Sequence, residues 1–281
     1  MQAAALAALV AAVVSGAVVV DMVNRQSASQ PARLSSVETQ DVHALAFLGG
    51  SERVILGHHG GILESIDGGR TWTSWGTGSD AMALGVTPDE RLVVAGHDVL
   101  AVGTPDGQWS SIDNDLPHSD IHGFARDPHD PDQMWAYLAT GGVYESRDGG
   151  THWEEVFTGH AFALLSTPSP GGTRLIAVDP DRRGIVASGD GGRSWELRGA
   201  PPTTPVFAMA AAAGGETLFV SGSEGLFRSD DGGRSFASLL DLGQPILAIA
   251  ATDDGRTLMI AGRDRSIYRS DDGGLTWPSA P

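Results

Sequence analysis

The sequence predicts an all-β fold, a six-bladed β-propeller, and three observations support it. An eight-residue motif, Ser-Ile-Asp-Gly-Gly-Arg-Thr-Trp at residues 65–72, recurs to the C-terminus with its aspartates 39 to 42 residues apart. Repetition at this period indicates a propeller or a solenoid array. Each repeat has four short apolar segments between Gly-rich turns, as strands do, and 281 residues suit one large all-β domain. The repeated aspartates are Asp67, Asp106, Asp148, Asp190, Asp231 and Asp272.

The repeats also predict where the blades begin and how the ring closes. Six motifs imply six blades, within the usual range of about four to eight. Only four residues follow Trp277, too few for a last strand, so we expect residues 33–38 to supply the outer strand of the last blade and close the ring. The propeller domain then spans residues 33–281. The innermost strands are predicted to start near Val42, Ala81, Ile121, Ala161, Val206 and Ile246.

The repeated motif is the Asp-box, and the chain resembles the BNR-repeat proteins, which include sialidases, other glycosidases and many non-catalytic modules. Five copies are full, and the copy at Asp106 is shortened. We call the turn that holds each of the six aspartates a box turn. Its Asp is expected to accept backbone amide hydrogen bonds, its Gly-Gly pair to adopt positive φ, and its aromatic residue to fill the space beneath. The six aspartates are therefore assigned a structural role.

Two further motifs make the resemblance to the BNR-repeat proteins more specific. His43-Ala44-Leu45 at a predicted first strand and Gly-His-His-Gly-Gly at residues 57–61 are similar to small bacterial BNR-repeat proteins labelled glycosyl hydrolases. This likeness covers the chain from about residue 37 onward. The label follows the repeat, so the resemblance implies the propeller architecture more strongly than any activity.

Residues 3–20 contain no charged side chain, which fits a hydrophobic signal region or a single membrane span. No basic residue precedes them, and the only small-x-small cleavage candidate, at residues 27–29, follows several polar residues. We therefore expect an uncleaved N-terminal hydrophobic helix, with residues 1–32 acting as membrane anchor and linker. The propeller is expected to be extracytoplasmic, partly because of the BNR resemblance, and cleavage would make it a secreted protein.

Composition excludes several classes of function. The net charge is −17 and all 18 basic residues are Arg, with no local basic stripe, so a nucleic-acid-binding surface is not expected. The absence of Cys excludes a disulfide framework, a thiolate metal site and a Cys nucleophile. The expected partners are a protein or a glycan ligand, or a metal ion.

Histidines concentrate on one face of the predicted ring. The connection into each innermost strand and the loop between the second and third strands share a face, which we call the mouth, and the box turns lie on the opposite face. Seven of the nine histidines fall on the mouth, in blades one to four. Three segments there occupy equivalent positions: Asp41-Val42-His43, Asp80-Ala81-Met82 and Asp120-Ile121-His122.

These residue types predict a transition-metal site. Imidazoles and carboxylates at one mouth suit zinc or copper, and Met82 slightly favours copper. The alternative is that these side chains only satisfy backbone groups in tight loops. The candidate ligands are His43, His58, His59, His97 and His122.

The competing hypothesis is a glycoside hydrolase, which normally needs two carboxylates across a cleft. The candidate carboxylates on the mouth are Asp41, Asp80, Asp98 and Asp120, and no pair stands out. Asp98 and Asp120 are taken as the catalytic candidates. Sialidase activity is not carried over, because the three tyrosines, Tyr137, Tyr144 and Tyr268, fall within strands and are interpreted as packing residues. We favour an extracytoplasmic binding or scaffolding module over a hydrolase.

Overall fold

The structure, a computed structural model, describes residues 30–76, 78–86 and 91–278. The chain forms six antiparallel sheets of four strands each, which confirms the predicted all-β, six-bladed propeller. Its one short 3₁₀ turn in these ranges is Ala213–Gly215. No helix in the described ranges is long and apolar enough to cross a membrane. The predicted hydrophobic helix over residues 3–20 lies outside the described residues.

The strands follow the chain in a regular order. The first blades use β1 (Ser35–Ser36), β2 (Ala44–Phe47), β3 (Val54–His58), β4 (Gly61–Ser65), β5 (Thr73–Ser74), β6 (Ala83–Val86), β7 (Leu92–Gly96), β8 (Val99–Gly103) and β9 (Trp109–Ser111). The middle blades use β10 (Ile121–Arg126), β11 (Met134–Leu138), β12 (Val143–Ser146), β13 (Glu154–Phe157), β14 (Phe162–Ser169), β15 (Gly172–Asp179), β16 (Gly184–Ser188) and β17 (Glu196–Gly199). The last blades use β18 (Val206–Ala212), β19 (Thr217–Gly222), β20 (Gly225–Ser229), β21 (Ala237–Leu240), β22 (Ile246–Ala251), β23 (Leu258–Gly262) and β24 (Ser266–Ser270).

The blades form a ring around their innermost strands. Strands β2, β6, β10, β14, β18 and β22 each contact the next in this order, and β22 contacts β2 again. Six apolar clusters fill the spaces between adjacent blades, and the cluster that joins the last blade to the first includes Val54, Ala248 and Met259. These interfaces explain why the middle strands are apolar on both faces: each sheet is covered by a neighbour on either side.

The N-terminal segment occupies the outer position of the last blade. Ser35 pairs with Ile267, and Ser36 pairs with Ser266, so that β1 lies antiparallel to β24. The Leu34 backbone N–H donates to the Ile267 carbonyl at 2.8 Å, and the Val37 side chain is buried between the last and first blades. We expect these contacts to fasten the ring.

Each box turn is a compact hydrogen-bonded unit, as the first one illustrates. Asp67 Oδ1 accepts hydrogen bonds from the backbone N–H groups of Arg70 and Thr71, both at 2.9 Å. The Ser65 hydroxyl donates to the same carboxylate, and the Trp72 indole N–H donates to the Gly69 carbonyl. These bonds close the turn on itself, so the Asp67 carboxylate is a structural part of the turn.

The box turns predict a loss of stability in acid. Partial burial of Asp190 opposes ionisation, but hydrogen bonds from Ser194 and Ser188 lower its pKa to about 2. In the unfolded chain the pKa of this carboxyl is about 3.9. The contribution of Asp190 to the free energy of unfolding is therefore complete above the unfolded pKa and is lost as pH falls through the folded pKa. We expect the urea midpoint of unfolding to fall between about pH 5 and pH 2.5, and to fall less steeply in Asp190→Asn. Equal slopes for the two proteins would contradict this role.

Candidate metal centre at the mouth

Seven side chains from the first three blades converge at the mouth. They lie in the segments that lead into β2, β6 and β10, at the start of β10 itself, and in the loops that follow β3 and β7. They form three overlapping groups, in each of which the ligand atoms lie within 4.8 Å of one another. We call these the first group (Asp41, His43, His59), the middle group (His59, Asp80, His97) and the third group (His97, Asp120, His122).

The third group presents three ligand atoms in a nearly equilateral triangle. Asp120 Oδ1 lies 2.9 Å from both His97 Nε2 and His122 Nε2, and the two nitrogens are 3.1 Å apart. Ligand atoms around a tetrahedral zinc ion stand roughly 3.3 Å apart. Asp120 Oδ1 is buried and accepts no hydrogen bond of normal geometry, so ordinary hydrogen bonding does not account for the two edges that meet at this oxygen.

The first group has a similar arrangement. His43 Nε2 lies 2.8 Å from His59 Nδ1 and 3.6 Å from Asp41 Oδ2. The Asp41 carboxylate also contacts His59 Nδ1 directly and accepts the His59 backbone N–H at 3.0 Å. Two imidazole nitrogens and one carboxylate oxygen therefore face one another here as well.

Asp80 lies between these two groups. His97 Nδ1 is 2.5 Å from Asp80 Oδ2, and His59 Nε2 is 3.5 Å from the same oxygen. The Asp80 side chain is only 10% exposed, and neither of its carboxylate oxygens accepts a hydrogen bond of normal geometry. A buried carboxylate without such partners is costly, so positive charge nearby would stabilise it.

Two glycines allow the backbone to bring these residues together. A Cβ on Gly96 would stand 2.0 Å from the Asp80 carbonyl oxygen, and one on Gly57 would stand 2.5 Å from the Ala81 carbonyl oxygen. The loops after β3 and β7 can therefore pass directly against the segment that leads into β6. Backbone contacts fix this approach further, since Ala81 N–H donates to His58 O at 3.1 Å and His97 forms an isolated antiparallel bridge with Asp120.

Gly96→Ala should therefore destabilise the protein and displace Asp80. Overpacking against backbone costs about 1–3 kcal/mol, which urea denaturation can measure. Gly78→Ala is the control, because Gly78 lies two residues before Asp80 and no atom lies within 4 Å of the added Cβ. Equal free energies of unfolding for the two variants would show that the close approach at Gly96 is unimportant.

The local environment favours the ligand forms of the first group. Burial lowers the pKa of the His43 imidazole, although the neighbouring carboxylates of Asp41 and Asp80 act in the opposite direction. Partial burial raises the pKa of Asp41, but the His59 backbone N–H and the His43 ring outweigh it, and the net shift is downward. Neutral imidazole and ionised carboxylate are the forms that bind metals.

Some predicted residues do not join the three groups. His58 Nδ1 instead accepts the Gly60 backbone N–H at 2.9 Å. The Asp98 carboxylate accepts the Ser119 hydroxyl. His160, a mouth histidine outside the predicted ligand set, has its Nδ1 2.7 Å from the Tyr137 hydroxyl. Each of these side chains therefore has a local partner, as the loop-satisfaction alternative expects.

The predicted ligand set held only histidines, so it lacked all three carboxylates of the groups: Asp120, which was a catalytic candidate, and Asp41 and Asp80. Asp41 and Asp80 both precede an innermost strand at the position that Asp120 holds in the third blade. That equivalence was the available sequence signal for them. What it could not show is the burial of Asp80, which depends on the approach of two other loops.

The mouth opens into an axial cavity of about 460 Å³. One side carries Asp41, His43 and His122, together with Met82, and the opposite wall is apolar and includes Phe162 and Phe207. Phe207 is 40% exposed, which is unusual for a large apolar side chain. A ligand at the mouth would meet both polar and apolar surface.

No protein-family model and no curated protein matches the sequence. Among solved structures, YCF48 from Cyanidioschyzon merolae is 20% identical with a TM-score of 0.57, over 90% of this chain and 88% of that one. YCF48 bound to D1 peptide is 21% identical with a TM-score of 0.54, over 89% and 83% of the chains. A gluconolactonase from Xanthomonas campestris is 15% identical with a TM-score of 0.67, over 88% and 96%. At these identities the likenesses show the propeller fold alone, and BNR membership remains a resemblance.

Proposed function

We propose that this chain is an extracytoplasmic binding propeller that holds a divalent transition metal, zinc or copper, at its mouth. The triangle of His97 Nε2, Asp120 Oδ1 and His122 Nε2 carries the proposal, because its edges of 2.9, 2.9 and 3.1 Å suit three ligands of one ion.

The chemistry of the surrounding residues supports a metal. Imidazole and carboxylate are ligands that zinc and copper both accept. Three protein ligands leave a coordination position for an external group, and His122 lines the axial cavity from which such a group would arrive. Met82 lines the same cavity. Because copper also accepts thioether ligands, copper is the alternative to zinc.

Binding fits the residues better than glycoside hydrolysis. The hydrolase needs a free acid and a free base or nucleophile, whereas Asp98 bonds to Ser119 and Asp120 faces two imidazoles. YCF48 offers a precedent for a propeller that binds a peptide. We therefore propose a protein ligand for this chain, and the glycan alternative has less support.

The proposal also covers the membrane anchor, the location of the propeller and the closure of its ring. The uncharged stretch at residues 3–20 is proposed as the membrane anchor that keeps the propeller outside the cytoplasm. The pairing of β1 with β24 is proposed as the closure of the ring. A protease added to intact cells should cleave the propeller if it is exposed outside, and full protection would contradict the localisation.

Metal analysis of the purified full chain tests the function. Near-stoichiometric zinc or copper should remain bound after dialysis, and the triple variant His43→Ala/His97→Ala/His122→Ala should lose it. His152→Ala is the matched control, because His152 also contacts a carboxylate, Asp148, but in a box turn. A wild-type protein that binds neither metal, even after loading, would refute the proposal.

A further inference from the structure

We infer that the mouth holds two metal ions, one in the first group and one in the third group, and that Asp80 is an outer carboxylate shared by both. This inference rests on the proposed function and deepens it. It assigns Asp80 the task of orienting two ligating imidazoles without itself binding either ion.

His97 shows the arrangement on one side of Asp80. Its Nε2 belongs to the triangle with Asp120 and His122, and its Nδ1 points to Asp80 at 2.5 Å. A histidine that ligates a metal through one nitrogen almost always donates its other N–H to a carboxylate, a carbonyl or water. Asp80 is placed to accept this N–H, which would fix the tautomer in which Nε2 is free for the ion.

His59 repeats the arrangement with its nitrogens exchanged. Its Nδ1 faces Asp41 and His43, while its Nε2 lies 3.5 Å from Asp80. Asp80 therefore stands between the metal-facing imidazoles of both groups. Since each imidazole has two nitrogens, the two outer groups can be filled at once while Asp80 takes one N–H from each side.

Burial makes this role better suited to Asp80 than to the other two carboxylates. Its side chain is 10% exposed, whereas those of Asp41 and Asp120 are 29% and 45% exposed. Because Asp41 and Asp120 are more exposed, water or an external ligand can reach an ion beside them. Asp80 is enclosed and lacks hydrogen bonds of normal geometry, so two polarised imidazole N–H groups beside Oδ2 would supply the partners that this oxygen lacks.

Zinc stoichiometry tests the inference. Chelator-treated full chain is loaded with Zn²⁺, freed of excess ion and measured for zinc per chain. Wild type and the box-turn control His152→Ala should each hold two ions, His43→Ala and His122→Ala should each hold one, and their double variant should hold none. Asp80→Asn should still bind two ions, with both affinities lowered roughly 10–100-fold in calorimetric titration.

Other outcomes overturn specific parts. A single ion in the wild type that both Asp80→Asn and His97→Ala abolish would place it in the middle group, refuting the two-ion centre while leaving the proposed function intact. Two ions bound with wild-type affinity in Asp80→Asn would refute the shared role of Asp80. No zinc in any protein would refute the two-ion centre, and the copper arm of the metal analysis would then decide the proposed function separately. The single-histidine variants keep the count testable if Asp80→Asn fails to fold.

Discussion

Zinc should stabilise the full chain strongly, and His97→Ala should remove the part of that gain that comes from the third group. The ligands come from the first three blades, and an ion bound only by the folded protein shifts the unfolding equilibrium by mass action. At a free zinc concentration roughly a thousandfold above the dissociation constant, the free energy of unfolding should rise by about 4 kcal/mol for each ion bound. His97 is a ligand in the third group but not in the first group, so the variant should lose the gain from one ion and keep the gain from the other.

Thermal unfolding with and without zinc measures this effect. A gain of that size corresponds to a rise in Tm on the order of 10 °C for a domain of this length. The comparison uses the zinc-dependent rise within each protein, so a lower Tm of the metal-free variant does not disturb it. His152→Ala should keep the wild-type rise, and an equal rise in His97→Ala would show that zinc acts elsewhere.

Removal of the N-terminal strand should cause the second large effect. A chain that starts at Asp41 lacks β1, the backbone bonds from Leu34 and Val37 to the last blade, and the buried Val37 side chain. At about 1 kcal/mol per hydrogen bond and about 2 kcal/mol for the buried Val, the free energy of unfolding should fall by roughly 3–5 kcal/mol. The open edge of β24 should also promote aggregation.

The control for this deletion is a chain that starts at Gln30 and keeps β1. It removes the hydrophobic segment in the same way, so the two truncated proteins differ only in residues 30–40. Urea denaturation of both truncated proteins measures how much residues 30–40 contribute to the free energy of unfolding. If the two proteins have the same free energy of unfolding, the strand does not fasten the ring.

The fold could be predicted from the sequence because the sequence signals for it are local and repeated. A motif every 39 to 42 residues fixed the number of blades, and the observed strands β10, β18 and β22 start at the predicted Ile121, Val206 and Ile246. Strands β2 and β6 start two residues later than predicted, at Ala44 and Ala83. The residues between the predicted and the observed starts follow directly after Asp41 and Asp80. Two of them, His43 and Met82, still donate backbone hydrogen bonds to Gly57 and Ala95 of the neighbouring strands.

Only part of the site could be predicted from the sequence, because the site depends on contacts between blades. The blade alignment placed His43, His97 and His122 on one face, and the structure brings all three into the groups. His58 and His59 are adjacent in sequence, yet only His59 joins them, because the turn directs the His58 ring to the Gly60 N–H. Periodicity cannot distinguish two neighbouring side chains in a turn, nor can it reveal that Gly57 and Gly96 let two loops enclose Asp80.

Anomalous diffraction at the zinc absorption edge, from crystals of the zinc-loaded full chain, tests the central claim most directly. We expect one anomalous peak about 2.0–2.2 Å from His97 Nε2, Asp120 Oδ1 and His122 Nε2, and a second beside Asp41, His43 and His59. Peaks found only at the box turns, or none at the mouth, would contradict the metal centre on which this account depends.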